Sequence, residues 1–516
     1  MKREIRTHGV VILALLAFGP RFAFSADARL SVWFAPSAAK IPRDARPVPS
    51  ALKWDMAAAR NETEACQLVV SSNQPCRDVT VTVADFRQKN GSAHLTPALY
   101  RVGYVPDIVG HTPYPDPLPP LRPFDLAAGA AQPVWISVHV PRDAPPGRYA
   151  TNVTVTAQGQ RRTFPLTLQV WNFALPDTPS CTTAFGIDPD SIARQHHVAA
   201  GSPAASQLYE RYYALLLDHH VSAYTIPADL MSEAAARFLD DPRLTSFVIP
   251  YPASDEGLKK LVDRLAGRGW LAKGVFYPID EPVTKDAYTA LEAIGSRLHK
   301  LVPSYRWVVP FYRGPDFDQK HSAFDLMAGR VNVWCPNLHY FDQDRRTRPF
   351  LAERHRRGEK VWWYVCCGPG EPYNNFFVSM SAMAHRVLFW QQKRERVDGL
   401  LYWNTTYWDP RSTKDPWQSM MTVKDINPNI RGDGSLLYPG TPVGIDGPVS
   451  SLRLEVIRDG LEDFDYLTLA EKRLGSEATS KLIARIAPKL TSYETDPLVL
   501  EKVRRELGQA LETGGR

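Results

Sequence analysis

A chain of 516 residues that is 44% hydrophobic and 11% aromatic has material for more than one large core, so two domains plus a tail are expected. The formal charge of +6 falls to +3 once Lys2, Arg3, Arg6 and Arg21 are set against Glu4 in residues 1–26, and the other basic residues are scattered, which excludes a nucleic-acid footprint. After the N-terminal segment nothing approaches about 18 consecutive apolar residues, so no membrane span is expected.

At the N-terminus, Lys2, Arg3 and Arg6 precede an apolar run from Val10 to Phe18 and small residues around Ala23 to Ala28. This is the layout of a secretory signal, so residues 1–26 read as a cleaved signal peptide and the protein as exported, to the periplasm or the extracellular space. Residues 27–176 read as an antiparallel β-sandwich. Short alternating or β-branched runs, Ala65–Val70, Val79–Val83, Pro133–Val140, Tyr149–Thr156 and Phe164–Val170, are separated by Pro, Gly and Asn turns. Pro106 to Pro123 is dense in proline and aromatics, which suits a rigid excursion packed on a neighbouring domain. Of the six cysteines, Cys66 and Cys76 form the most plausible local bridge, whereas strand alternation points the adjacent Cys366 and Cys367 thiols to opposite faces.

From residue 177 the pattern becomes strand then helix, repeated. Candidate strands are Thr182–Ile187, Ser222–Ile226, Ser246–Pro250, Gly274–Ile279, Trp307–Tyr312, Val331–Cys335, Lys360–Val365 and Gly399–Trp403, with helices such as Ala205–Asp218, Glu256–Leu265, Lys285–Lys300 and Met380–Lys393 between them. Eight strands in alternation predict a (β/α)8 TIM-type barrel over residues 177–449. Residues 450–516 read as a charged C-terminal helical extension covering the barrel.

The most informative stretch is Gly274 to Pro282, an apolar run that stops on two adjacent carboxylates, Asp280 and Glu281, followed by a proline. A buried strand reads as a continuous apolar run and a proline cannot continue a central ladder, so both acids fall at the strand's C-terminal end, the catalytic lip of such barrels. Paired carboxylates there suit cleavage of a glycosidic bond. The other acidic pair, Asp255–Glu256, follows Ser254 and suits a helix N-terminus. Other strand ends offer Trp334, Asn337, His339, Tyr340, Trp363, Tyr364, Trp403 and Asn404, the aromatic and amide mixture a sugar site uses, and Asp433 lies in a Gly-Asp-Gly turn that lines the same pocket. No cofactor and no metal site are expected, because Asp459, Glu462, Asp463 and Asp465 lack calcium-loop spacing and instead pair with Arg458 and Arg453, and the His-His pairs are not four apart. Protease, esterase and dinucleotide motifs are absent.

Several pieces together resemble glycoside hydrolase family 123 and the wider set of DUF4091 domain proteins. They are Arg60–Val70, Pro146–Tyr149, Trp171–Pro176, Asp280–Pro282, Leu400–Trp403, Gly432–Gly440 and Arg458–Phe464. The resemblance implies a β-sandwich before a (β/α)8 barrel and exo-acting, retaining β-N-acetylgalactosaminidase activity in which the substrate's 2-acetamido group is the nucleophile. The family's Asp-Glu pair falls on Asp280 and Glu281. A glycan is then the expected partner, Glu281 the general acid/base and Asp280 the group that orients the amide. Two alternatives carry different expectations. One keeps the fold but uses a distant nucleophile such as Asp342 or Glu371; the other is a non-catalytic carbohydrate-binding surface protein.

Overall fold

The computed structural model describes residues 30–49, 51–106, 113–302, 304–408, 415–418 and 430–513, and the expected signal peptide lies outside them. The first half is two stacked sheets. One has the order Leu30–Pro36, Glu62–Ser72, Ala131–Val140, Ala98–Arg101, antiparallel throughout. The other runs Phe124–Leu126, Cys76–Val83, Gly147–Ala157, Gln160–Ala174, Trp54–Arg60. Its last pair is parallel, which departs from a purely antiparallel sandwich. Gly147–Ala157 shows why the layers close: Tyr149, Val153, Val155 and Ala157, all on one face of the strand, enter the space between the sheets and meet Leu68, Val70, Val134 and Ile136. Each fully buried Val, Leu or Ile among them contributes about 1.5–3 kcal/mol by leaving water.

Cys66 and Cys76 lie on strands of opposite sheets and both thiols are free, so the expected local bridge is not formed. No helix of the described residues is long and apolar enough to cross a membrane.

The second half is an α/β unit built on parallel pairings. Thr182–Phe185 pairs with Gly399–Tyr402 and bridges to Ala223 through Phe185. The Val248 N–H donates to the Tyr224 carbonyl at 2.8 Å, Phe247–Ile249 pairs with Gly274–Phe276, and a Phe276–Trp307 bridge leads to Val308–Phe311. Val333–Pro336 and Lys360–Val365 carry the pairing back to Gly399–Tyr402. All eight expected strand positions take part. The second contributes a bridge rather than a ladder, and the fourth ends at Phe276 instead of Ile279. Pro278, which has no N–H to give, ends that ladder before Pro282 is reached.

Helices Pro203–Asp218, Asp255–Gly267, Lys285–Leu301 and Ala382–Arg394 follow strands, each capped by a Ser or Thr side chain on a first-turn N–H. Parity along the strands splits the side chains into two layers. Ala184, Val275, Val308, Val333, Cys335, Trp362, Tyr364 and Leu401 fill the interior, with Tyr224, Tyr277, Tyr312 and Cys366 packed on them. Their neighbours face the helices.

The C-terminal region differs from a charged cover. Leu452–Leu474 is buried along most of its length, and two further helices, Ser476–Ile486 and Pro497–Thr513, follow it. The buried charges of Leu452–Leu474 are paired both across elements and within the helix. Arg386 binds Asp463 at 2.7 Å, Arg504 reaches Asp463, Glu64 and Glu62, and Arg458 holds Glu455 and Asp459. Arg453 does not serve this acidic group, contrary to expectation. It grips Asp116 of the proline-rich excursion at 2.9 Å with both side chains sealed from solvent.

Candidate active site

Beyond Phe276 the chain crosses the lip. Tyr277 keeps the inward parity of Val275, and its hydroxyl donates to Asp280 Oδ1 at 2.7 Å. Among the described residues the second oxygen of Asp280 is left open. Glu281 takes φ 45°, the left-handed region that a non-glycine residue enters at a cost of roughly 1–3 kcal/mol. That turn aims its carboxylate into the ring, where the hydroxyl of Tyr364 donates to Oε1. Two inward tyrosines, one just past Gly274–Phe276 and one on Lys360–Val365, thus each hold one member of an adjacent acidic pair. Burial, more than the charge of Asp280, raises the Glu281 carboxyl above the usual carboxylate range, and the Tyr364 hydrogen bond opposes that rise. Burial also holds both phenols far above their ordinary range, so they remain donors.

Asp433 comes to the same end of the ring by a different route. Gly432 and Gly434, at φ 73° and 71°, form a turn whose glycines are required: a Cβ on Gly434 would stand 2.4 Å from the Trp403 ring. The turn seals Asp433, which accepts from the Tyr402 hydroxyl at 3.1 Å, while burial pushes its pKa up to about 6. Asn337, at the end of Val333–Pro336, donates to the Gly368 carbonyl at 3.3 Å and accepts from His339 Nδ1. Asn404 caps the next turn by accepting from the Thr405 and Thr406 N–H groups at 2.8 and 2.9 Å.

Three expected binding residues belong elsewhere. Trp334 is fully buried on the helix side, its indole N–H on Glu359 and its ring against Phe350 at 4.9 Å. Tyr340 packs between Phe311 and Phe324, and Trp363 packs on Phe341 at 5.6 Å. The reason is parity: Cys335 on one strand, and Trp362 and Tyr364 on the next, take the inward positions, so Trp334 and Trp363 must point out. The expected opposition of Cys366 and Cys367 fails for a related reason. The strand ends at Val365, alternation stops there, and the two sulfurs lie 3.7 Å apart. Tyr277, Tyr224 and Tyr312 were missed. The signal for Tyr277 was its place two residues beyond the inward Val275.

Neither alternative nucleophile stands free beside the pair. Asp342 is bound by Arg348 at 3.0 Å, and Glu371 is exposed near Tyr493. Among the described residues no group of three or more His, Cys, Asp or Glu side chains could hold a metal ion. A cavity of about 890 Å³ between the sandwich and the Leu452–Leu474 helix, lined by His139, His219, His220 and Glu455, contains neither carboxylate.

Comparison with known proteins assigns the family. The profile of the glycoside hydrolase 123 N-terminal domain matches residues 42–157, and that of the glycoside hydrolase 123 catalytic domain matches residues 255–470, which include Asp280, Glu281 and Asp433. The chain belongs to glycoside hydrolase family 123. Among solved structures, a family 123 glycoside hydrolase from Clostridium perfringens, described for glycolipid glycan hydrolysis, is 14% identical with a TM-score of 0.69, over 94% of this chain and 98% of that one. At that identity the likeness shows a shared fold. A β-glucuronidase from Parabacteroides merdae (10% identical, TM-score 0.29, 78% of this chain and 50% of that one) and one from Bacteroides uniformis (11%, 0.31, 79% and 48%) are too distant in shape to add to it. No curated protein matches the chain. As a family 123 member the protein carries a glycoside hydrolase catalytic domain, and its substrate is a glycan.

Proposed function

We propose that this family 123 hydrolase is an exo-acting, retaining enzyme that releases a terminal 2-acetamido sugar, β-linked N-acetylgalactosamine, by substrate assistance, at the lip of a (β/α)8 barrel spanning residues 177–449. The observation that carries the reading is the adjacent pair Asp280–Glu281, each carboxylate tethered through one oxygen to an inward tyrosine. Two carboxylates flanking an anomeric carbon as acid and nucleophile stand about 5 Å apart on opposite sides of it, which neighbours in sequence on one lip do not readily achieve. Substrate assistance needs no protein nucleophile.

In the first step Glu281, whose carboxyl burial shifts toward its protonated form, gives its proton to the leaving oxygen while the substrate's acetamido oxygen attacks the anomeric carbon. The open oxygen of Asp280 accepts the acetamide N–H and stabilises the oxazolinium-like charge. In the second step Glu281 takes a proton from water, which opens the ring with net retention. Tyr364 favours the ionised Glu281 that exists between the steps. The description of the Clostridium perfringens relative supports a glycoconjugate glycan as the substrate class. Residues 1–26 would export the enzyme to such a substrate, and N-terminal sequencing of the secreted form should begin between Ala26 and Arg29.

A matched pair of aryl glycosides tests the mechanism. Turnover of the 2-acetamido glycoside and none of its 2-hydroxy analogue is the expected result, and the reverse outcome removes substrate assistance.

A further inference from the structure

Beside the carboxylate pair the chain places two neighbouring thiols that the proposed reaction does not use. Cys366 and Cys367 have their sulfurs 3.7 Å apart. The turn that carries them is clamped from below: fully buried Asn375 donates to the Cys366 carbonyl at 2.8 Å and to the Pro369 carbonyl at 2.9 Å, and the Cys366 N–H donates to the Gly368 carbonyl at 3.0 Å. Cys366 is half-buried and packs on the interior layer, whereas Cys367 is exposed. Cys366 packs on the same interior layer as Tyr364, two residues before it, whose hydroxyl donates to Glu281, so the pair stands at the lip close to that acid. The other four cysteines are buried.

We propose that Cys366–Cys367 is a redox modification site at the rim of the glycosidase centre, closing to a vicinal disulfide by exchange with a low-molecular-weight disulfide and thereby impairing turnover. Exposed Cys367 is the attacking group. Its thiolate bonds to one sulfur of the reagent and breaks the reagent's S–S bond, releasing one thiolate. Cys366 then gives its proton to water and attacks the Cys367 sulfur, forming the Cys366–Cys367 bond and expelling the second thiolate. Two protein thiols are oxidised and one disulfide is reduced to two thiols. The hydrogen bond from Cys366 lowers the Cys367 pKa, which supports this order. Reversal is built in. Adjacent residues place their Cα atoms about 3.8 Å apart, short of the usual disulfide span of about 4.4–6.8 Å, and a strained bridge is readily reduced.

The effect on turnover rests on the reading of Asp280 and Glu281 above; the chemistry at the thiols does not. The full chain is treated with 4,4′-dithiodipyridine, and two quantities are followed: the disulfide, mapped by tandem mass spectrometry, and hydrolysis of the aryl 2-acetamido glycoside. The expected result is release of two equivalents of thiopyridone, an intramolecular Cys366–Cys367 bridge with no retained reagent, and a fall in kcat/KM of about tenfold or more that dithiothreitol reverses. Cys367→Ala should release no thiopyridone and keep its activity under the same treatment. A mixed disulfide that persists on Cys367, or no reaction at either thiol, overturns the site. A mapped bridge with unchanged turnover overturns the control of activity. If the untreated enzyme shows no 2-acetamido glycosidase activity, the substrate reading fails while the mapped bridge still decides the thiol chemistry.

Discussion

At the scale of single residues the two carboxylates have different environments, and this predicts different mutants. Glu281 is half-buried on a left-handed backbone with Tyr364 on one oxygen; Asp280 is exposed with Tyr277 on one oxygen. A general acid matters in proportion to leaving-group basicity, so Glu281→Gln should lose roughly 100-fold or more on a natural glycan and far less in the first step on a nitrophenyl glycoside. Asp280→Asn should be impaired on both, and a thiazoline mimic of the intermediate should bind it weakly. Equal losses in both mutants regardless of leaving group would make the pair structural. Tyr364→Phe gives a pH test. The lost hydrogen bond favours the charged form of Glu281, so its removal raises that pKa further. Because the protonated acid starts the reaction, the alkaline limb of the kcat/KM profile should move to higher pH. An unmoved limb would exclude Glu281 as the titrating acid. Sequence alone displayed Asp280 and Glu281 through their adjacency and the proline after them. It could not display the tyrosines as partners, because that depends on which strand faces which across the interior.

At the scale of elements the helix Leu452–Leu474 was legible as a helix and misleading as a surface. Its periodicity is helical, but its charges face inward, since distant segments supply partners for Asp463 and Arg453 and Arg458 is paired within the helix itself. Arg453 joins three pieces: it binds Asp116, donates to the Phe376 and Gly432 carbonyls at 2.9 and 2.8 Å, and donates to that of Ser435. Arg453→Met should therefore destabilise the protein by about 3–5 kcal/mol in denaturant unfolding, because Asp116 is left buried without a counter-charge. Replacing both partners, Arg453→Met with Asp116→Leu, should recover most of that loss. A single mutant as stable as the parent would mean that water reaches Asp116.

At the scale of the whole molecule the seam between sandwich and ring is a titrating surface. His220 Nε2 lies 3.6 Å from Glu462, and burial holds His220 at about 4, below its unfolded value near 6.5. Its neutral form is favoured in the fold, so this contribution is present above about pH 6.5 and is lost as pH falls toward 4. Glu62 and Glu462, both raised to about 7 mainly by burial, act oppositely: their contribution is present below the ordinary carboxylate range and is lost as pH rises through 7. Between pH 7 and 4 the two trends offset each other. His220→Asn removes one of them, so the variant should gain stability relative to the parent as pH is lowered, by on the order of 3 kcal/mol at pH 4. Urea unfolding at pH 7, 5.5 and 4 checks this, and a gap that does not widen toward acid would show that His220 is charged in the fold.

The order of elements was determined locally. Period-two runs, capped helices and proline stops are short-range physics, and they located five sandwich strands, eight parallel segments and the acidic pair. What only the tertiary structure decided was direction. One residue of parity separates the outward Trp334 and Trp363 from the inward Cys335, Trp362 and Tyr364, and nothing within either strand marks the face. The same holds for Trp54–Arg60, which joins its sheet parallel to Gln160–Ala174 across about a hundred intervening residues, and for Cys366 and Cys367, whose sulfurs meet because the strand stops one residue earlier. These choices are set by which side chains fill a shared interior once all the strands are present, a packing condition that no single segment contains.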